Sequence, residues 1–275
     1  MKVHLVSYAS LKFLHRQMVL GASALANGVA DETRAFSPKK VKEAGFARMF
    51  PEIGFEERGS GFWAWKPFVI DKVLSEVPEG DLVFYCDVGR GYPFKRLTAC
   101  LPPLLRWMEE NRQAFLPGVE IPWDGPMSVW TKRDAFVYTG MDDAATHEAS
   151  PVQASFSLWK AGDDSCRFVK KWMDGCKDRR LLTDDPSMCG LGELPDFRDH
   201  RHDQAVLTLC CLKEGVKGLS LGRERPPIDS KHPSQVAKWL DPALDQKGGS
   251  LSSLVELFVK PVEWIERRAR RSAVA

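Results

Sequence analysis

The segment that most constrains the fold of this chain is a short, uninterrupted apolar run, Leu82–Cys86, which is followed directly by Asp87. A run of this length after the turn sequence P-E-G-D at residues 78–81 is typical of a strand covered on both faces of a sheet. Ligands of open α/β sheets bind beyond the carboxyl ends of such strands. We therefore expect Asp87, with Gly89 and Gly91 after it, to lie at a metal or phosphate site. The alternative is an aspartate that only caps a turn.

The segments around this run alternate between strand and helix patterns. Apolar patterns predict further strands at Val3–Tyr8 and residues 152–159. Helical spacing of apolar residues predicts helices at residues 13–28, 65–77, 101–112, 165–176 and 202–214. This alternation predicts an α/β, Rossmann-like fold, with a mostly parallel sheet and helices on both of its faces.

The composition narrows the functional classes. The chain has 275 residues and a net charge of +2, so no whole-protein field favours nucleic acid as a partner. The seven cysteines are an odd number without a C-x-x-C pair, which predicts reduced thiols rather than disulfides or a zinc site. The first residues are too polar for a signal peptide, and the sequence holds no apolar run long enough for a transmembrane helix. We therefore expect a cytoplasmic protein.

Three motifs follow one another along the chain. They are G-F-W-A-W-K-P at residues 61–67, G-D at 80–81 with Y-C-D-V-G at 85–89, and H-R-H-D-Q at 200–204. Together they resemble the GT-A-fold glycosyltransferases of the bacterial cell-surface polysaccharide type, over roughly residues 1–212. The resemblance implies a GT-A-like domain, which we place at residues 1–240. It also implies transfer of a hexosyl group from a nucleotide-sugar, with a UDP-sugar favoured, to a glycan or lipid-linked acceptor.

The same resemblance implies a divalent cation, Mn²⁺ or Mg²⁺, at the donor diphosphate. In this family a D-x-D motif binds that cation, because carboxylates are suitable ligands for hard metal ions. The matching triplet here is Asp87-Val88-Gly89, so the second carboxylate is missing. Asp87 is thus the implied metal ligand and a catalytic residue at the diphosphate, and Gly89 leaves the metal dependence open.

A downstream segment offers a second metal ligand. The sequence H-P-S-Q-V-A-K-W at residues 232–239 is similar to the H-x-x-G-x-x-K-P-W segment of glycogenin-like transferases, although its glycine and proline are absent. The similarity implies that His232 binds the metal and that Lys238 contacts the diphosphate. The alternatives are a solvated loop histidine and a surface lysine.

Asp203 and Gln204 stand at the start of the predicted helix 202–214. The resemblance implies that Asp203 is a catalytic carboxylate near the donor sugar or the acceptor hydroxyl, with Gln204 on the donor side. Inverting and retaining transfer both remain open. An acid in a first helical turn could instead be a cap, and His200 or His202 could be the base.

Three further residues are candidates for the donor pocket. Tyr8 ends the first predicted strand, where it could stack on a nucleotide base, and Trp65 and Lys66 belong to the W-K-P motif. Lys66 is fixed between the stiff neighbours Trp65 and Pro67, which favours a role facing the donor. The alternatives are core positions for the aromatic residues, including Trp63, and a surface position for the lysine.

The last residues, 241–275, predict a separate helical appendage. Apolar and aromatic residues at 251–265 precede R-R-A-R-R at 267–271. A basic helix end beside apolar residues can lie on an anionic membrane surface, which would place the protein at the inner face of the membrane. The alternative is a helix that packs on the domain.

Two other functions compete with glycosyl transfer. The missing second carboxylate also suits a catalytically silent GT-A-like module that binds a glycan or a protein. A nucleotidyltransferase would carry a glycine-rich basic loop after the first strand, and A-S-L-K-F-L-H-R at residues 9–16 contains no glycine. The sequence therefore favours the transferase and the silent module over the nucleotidyltransferase.

Overall fold

The computed structural model describes residues 1–88 and 96–247, and it shows an α/β fold. A five-stranded sheet has the order β2-β1-β3-β7-β4, and β5 pairs with β6 in a smaller sheet. The strands are β1 (Val3–Tyr8), β2 (Glu32–Phe36), β3 (Leu82–Cys86), β4 (Phe115–Leu116), β5 (Val119–Glu120), β6 (Val152–Gln153) and β7 (Phe156–Lys160).

The main sheet is mixed. Strand β1 runs parallel to β2 and β3, whereas β7 runs antiparallel to β3 and β4. The predicted α/β class is confirmed, and the sheet is compatible with a Rossmann-like fold. The single strand predicted at residues 152–159 is wrong, because the chain divides into β6 and β7. Between them, the carbonyl oxygen of Ala154 accepts a hydrogen bond from Lys66, and that of Ser155 continues the pairing of β3 with β7 by accepting one from the Asp87 N–H.

Helices surround the sheet, and the predicted ones are confirmed to within a few residues at their ends. The segment α4 is a distorted turn rather than a regular helix. The helices are α1 (Leu14–Ala26), α2 (Pro38–Glu43), α3 (Phe46–Met49), α4 (Arg58–Phe62), α5 (Trp65–Leu74), α6 (Leu101–Glu110), α7 (Met127–Trp130), α8 (Arg133–Thr139), α9 (Ala144–His147), α10 (Asp163–Gly175), α11 (Arg179–Leu182), α12 (His202–Glu214) and α13 (Pro233–Leu240), with 3-10 turns at Leu11–Phe13, Pro122–Asp124 and Pro242–Lys247.

Two apolar layers cover the two faces of β3. Val83 and Tyr85 belong to a cluster with residues of α5, α10 and α12, and Phe84 and Cys86 belong to another with residues of α1, α6 and α13. Alternate side chains of a strand point to opposite faces, so an uninterrupted apolar run is what a strand between two layers requires. The prediction of helices on both faces is therefore confirmed. All seven cysteines are free thiols.

The functional edge of the sheet lies where β1 and β3 end. Because β7 is antiparallel to β3, its first residue pairs with the last residue of β3, and the Asp87 N–H donates to the Ser155 oxygen at 2.8 Å. Tyr8, Asp87 and Ser155 therefore meet at one edge. Helix α13 ends at Leu240, and of the predicted appendage 241–275 only residues 241–247, which include the turn Pro242–Lys247, lie within the described residues.

Candidate active site

A groove runs along this edge in three parts. The central cleft has a volume of about 360 Å³. On one side it shares Trp63 and Asp87 with a compartment of about 280 Å³ beside Tyr8, here called the Tyr8 compartment. On the other side it adjoins a compartment of about 420 Å³ beside Trp123, here called the Trp123 compartment. Volumes of this order are those of small-molecule sites.

Lys66 stands at the floor of the central cleft, and its side chain is only 5% exposed. Its Nζ lies 3.0 Å from Asp203 Oδ2 and 3.7 Å from Asp87 Oδ2. The same ammonium donates to the carbonyl oxygen of Ala154 at 2.9 Å. Helix α5, strand β3, the break before β7 and the first turn of α12 thus converge on one buried cation.

Burial and neighbouring charges shift the pKa values of Lys66 and Asp203. Burial lowers the pKa of Lys66, but Asp203 and Asp87 outweigh it, so the pKa of Lys66 is raised overall and the lysine is a cation. Burial raises the pKa of Asp203 to about 6, because the single ammonium, which Asp203 shares with Asp87, does not fully compensate it. A carboxyl group with a pKa close to neutrality is suited to accept a proton from a substrate.

Asp87 is held on both of its oxygens. The hydroxyl of Tyr85 donates to Oδ1, and Oδ2 faces Lys66. Tyr85 is fully buried, and burial followed by the charge of Asp87 raises its pKa well above the ordinary value, so it stays a donor. The Asp87 side chain is 30% exposed and borders both the central cleft and the Tyr8 compartment. It is therefore fixed in direction and still within reach of a ligand.

Tyr8 and Trp65 form a stacked pair in the wall of the Tyr8 compartment. Their ring centroids are 3.9 Å apart with an interplanar angle of 27°. The Tyr8 hydroxyl donates to Ser60 Oγ at 3.1 Å, and Trp65 Nε1 donates to the Gly59 oxygen at 2.9 Å. Both rings are buried, so these residues are core anchors that also border the compartment.

The segment 59–63 is an unusual left-handed turn between the Tyr8 compartment and the central cleft. All five residues have positive φ, including Ser60 at 60°, Phe62 at 49° and Trp63 at 62°. Each non-glycine residue in this region costs roughly 1–2 kcal/mol. The Trp63 ring stacks on His202, which itself has φ 48°, at a centroid distance of 5.4 Å. Strained backbone of this kind concentrates at functional sites.

The two histidines of the motif are neutral. His200 Nδ1 accepts from the Lys132 N–H at 3.3 Å, so Nε2 donates to the Leu181 oxygen at 2.8 Å. His202 Nδ1 lies 2.9 Å from the Leu182 oxygen. Burial lowers the pKa of both rings. Backbone groups occupy both nitrogens of His200, which leaves Asp203 and the Nε2 of His202, 3.6 Å from Asp184 Oδ1, as the candidates for a base.

The other candidate residues have different positions. Gln204 lines the central cleft, and its buried Nε2 has no hydrogen-bond partner among the described residues. Lys238 is exposed near the end of α13, and His232 is buried at the start of the same helix. The described walls of the groove include their neighbour Lys231 but neither of these two residues. Of the candidates, the structure brings together Tyr8, Trp65, Lys66, Asp87, Asp203 and Gln204.

The donor set at Asp87 does not fit a divalent cation. Such an ion needs several oxygen ligands, and both carboxylate oxygens of Asp87 already face Tyr85 and Lys66. Within residues 1–88 and 96–247, no group of three or more His, Cys, Asp or Glu side chains could hold a metal ion. Outside these ranges, residues 89–95 contain none of these residue types, and residues 248–275 contain Glu256, Glu263 and Glu266.

Sequence reasoning missed the arginines of the cleft. The Arg201 guanidinium lies 3.7 Å from the centroid of the Trp130 ring and 3.3 Å from Asp124 Oδ2. Arg58 pairs with Asp184 at 3.1 Å and tethers the left-handed turn to the loop after α11. The acidic character of that loop was the available signal for Arg58, because Asp184 is its partner.

None of the helices in the described part of the chain combines the length and the apolar character that a membrane span requires. Comparisons with protein-family models, with curated proteins and with solved structures find no match to this chain.

Proposed function

We propose that this chain is a glycosyltransferase that moves a hexosyl group from a nucleotide-sugar to a glycan or lipid-linked acceptor. The observation that carries the proposal is the cluster of Lys66, Asp87 and Asp203 at the carboxyl edge of the sheet, in the middle of a three-part groove. The motif resemblance supplies the reaction class, and the groove supplies separate places for a donor and an acceptor.

The proposed donor lies across the junction of two compartments. Its nucleotide occupies the Tyr8 compartment, and its sugar enters the central cleft past Trp63 and Asp87, which border both. The acceptor approaches from the Trp123 compartment, which shares Asp124, Gln153 and Lys231 with the central cleft. Holding two substrates in line in this way supplies much of the rate enhancement of a transferase.

In this proposal Asp203 is the base. The acceptor hydroxyl gives its proton to the Asp203 carboxylate as its oxygen forms a bond to the anomeric carbon, and the bond from that carbon to the diphosphate breaks. The anomeric carbon is inverted, because attack and departure occur on opposite sides. A pKa of about 6 leaves Asp203 mostly ionised at neutral pH, and Lys66 at 3.0 Å stabilises that form.

The setting of the reaction is also part of the proposal. A lipid-linked acceptor at the cytoplasmic face of a membrane would suit residues 251–265 and the arginines after them, which lie outside the described residues. Anionic lipids attract such basic segments.

Thermal unfolding with UDP, GDP, CMP and dTDP tests the donor side. A nucleotide at a hundred times its dissociation constant adds about 2.7 kcal/mol, which raises the Tm by about 2–4 °C for a domain of this size. Ser10→Phe, in the wall of the Tyr8 compartment, should abolish the shift, and Ser75→Phe, on the exposed end of α5, should keep it. The proposal fails if none of the four nucleotides shifts the wild type.

A second candidate is a silent glycan-binding module. Gly89 at the second D-x-D position favours it, as does the pairing of the Lys66 ammonium with carboxylates of the protein itself. This module would bind saccharides without nucleotides. Saccharide binding without any nucleotide shift would therefore decide for the module and against the transferase.

A further inference from the structure

We infer that this site carries its own cation. The ammonium of Lys66 supplies the positive charge at the end of β3 that a divalent metal supplies in other transferases, and the donor binds without a metal. The identity of the donor rests on the proposed function. The exclusion of the metal rests on the contacts of Lys66, Tyr85 and Asp87.

The Lys66 ammonium lies close to the position that a metal on Asp87 would occupy. A metal bound to Asp87 Oδ2 would lie about 2.1 Å from that oxygen. Because Lys66 Nζ is 3.7 Å from the same oxygen, the metal and the ammonium would be within roughly 6 Å of each other. The Lys66 side chain is only 5% exposed, so little water would screen their repulsion.

Displacement of the Lys66 ammonium by a metal would break both of its short contacts. Its Nζ donates to the Ala154 oxygen at 2.9 Å and pairs with Asp203 at 3.0 Å. If the ammonium moved away, it would leave Asp203, whose side chain is 6% exposed, without a compensating charge. Breaking a buried pair in this way is strongly unfavourable.

The other carboxylate oxygen of Asp87, Oδ1, already accepts a hydrogen bond. Tyr85 is fully buried beneath the cleft, and its hydroxyl donates to Asp87 Oδ1. A metal that used this oxygen would compete with that donor, and a metal on Oδ2 would meet Lys66. The carboxylate is therefore oriented and compensated by the protein itself.

Mn²⁺ titration followed by electron paramagnetic resonance tests the inference directly, because the signal counts free Mn²⁺ whether or not the enzyme turns over. The wild type and Asp87→Asn should take up Mn²⁺ equally and no more tightly than about 1 mM at this site, with or without each of the four nucleotides. One tightly bound Mn²⁺ per wild-type chain that Asp87→Asn loses, in either condition, would overturn the inference. Mn²⁺ that both proteins bind alike lies elsewhere and supports it.

Removing the resident cation should create the metal site. In Lys66→Met, Asp87 and Asp203 face the vacated position without a cation, and we expect at least a tenfold gain in Mn²⁺ affinity over the wild type. Lys39→Met, at an exposed lysine beside Glu43, is the control and should show no gain. A folded Lys66→Met without any gain would count against Lys66 as the excluding charge. If this variant does not fold, the comparison of wild type with Asp87→Asn decides.

The two proposals fail separately. Absence of any nucleotide shift counts against the glycosyltransferase and leaves the Mn²⁺ result intact. A nucleotide shift that EDTA abolishes would keep the transferase and overturn the resident cation.

Discussion

Replacing Lys66 by methionine should destabilise the protein in a way that depends on pH. Asp203 has a pKa of about 6 in the folded protein, above its value of roughly 3.9 in an unfolded chain. A raised carboxyl pKa means that the fold favours the protonated form. Asp203 alone therefore lowers the stability of the wild type by about 3 kcal/mol as the pH rises from 4 to 6, and this group contributes little further change above that.

Above pH 6, the stability of the variant should continue to fall, whereas the contribution of Asp203 to the stability of the wild type no longer changes. Without the ammonium, burial keeps Asp203 protonated above pH 6, and each further pH unit costs about 1.4 kcal/mol. The difference between variant and wild type is then about 1.4 kcal/mol at pH 7 and about 3 kcal/mol at pH 8. The lost hydrogen bond to Ala154 adds about 1 kcal/mol at every pH.

Urea unfolding at pH 5, 6, 7 and 8 measures this slope. The double variant Lys66→Met with Asp203→Asn should show no added slope, because the titrating group is gone. Lys39→Met is the control and should show no added slope, because Lys39 is exposed and pairs with the exposed Glu43. A loss for Lys66→Met that is the same at all four pH values would refute the electrostatic reasoning.

Three further predictions concern the turn, the loop and the chemistry. Gly59→Ala should lower the free energy of unfolding in urea by at least 1 kcal/mol more than Gly28→Ala. Both glycines have positive φ, but a Cβ at Gly59 would lie 2.5 Å from the Trp63 ring, whereas a Cβ at Gly28 would meet nothing within 4 Å. Equal losses would disprove this contact. Asp134→Asn should lower the free energy of unfolding by about 2 kcal/mol and speed proteolysis near residue 188, because the Asp134 carboxylate accepts hydrogen bonds from the N–H groups of residues 188 and 189. An unchanged rate of cleavage would show that these bonds do not hold the loop. The kcat/KM for the donor should rise with pH through about 6 as Asp203 ionises, and a flat profile would rule out Asp203 as the base.

The parts of the site that follow from local pattern were predictable from the sequence. The apolar run of β3 placed Asp87 at a strand end, and the helical spacing after residue 202 placed Asp203 in a first turn. The structure confirms the positions of both residues in these elements. Their meeting at Lys66 was not predictable, because it depends on how α5 and α12 pack against one face of the sheet.

Tertiary contacts also override local preference in two places. The left-handed backbone of Ser60 and Trp63 is held by partners distant in sequence, Tyr8 and His202. The division of residues 152–159 into two strands also depends on a distant residue, because Lys66 Nζ donates a hydrogen bond to the Ala154 carbonyl between the strands. A single sequence carries no periodic signal for either feature.

Release of nucleoside diphosphate from a panel of UDP-, GDP- and dTDP-sugars, and of CMP from a CMP-sugar, by the wild type and Asp203→Asn tests the central claim most directly. Asparagine has the shape of the neutral Asp203 side chain, so the variant should fold and keep its nucleotide-induced Tm shift. The account predicts that the wild type cleaves one donor of the panel and that Asp203→Asn slows this step at least a hundredfold, the contribution of a general base. Equal rates in the two proteins, or no cleavage of any donor by the wild type, would contradict it.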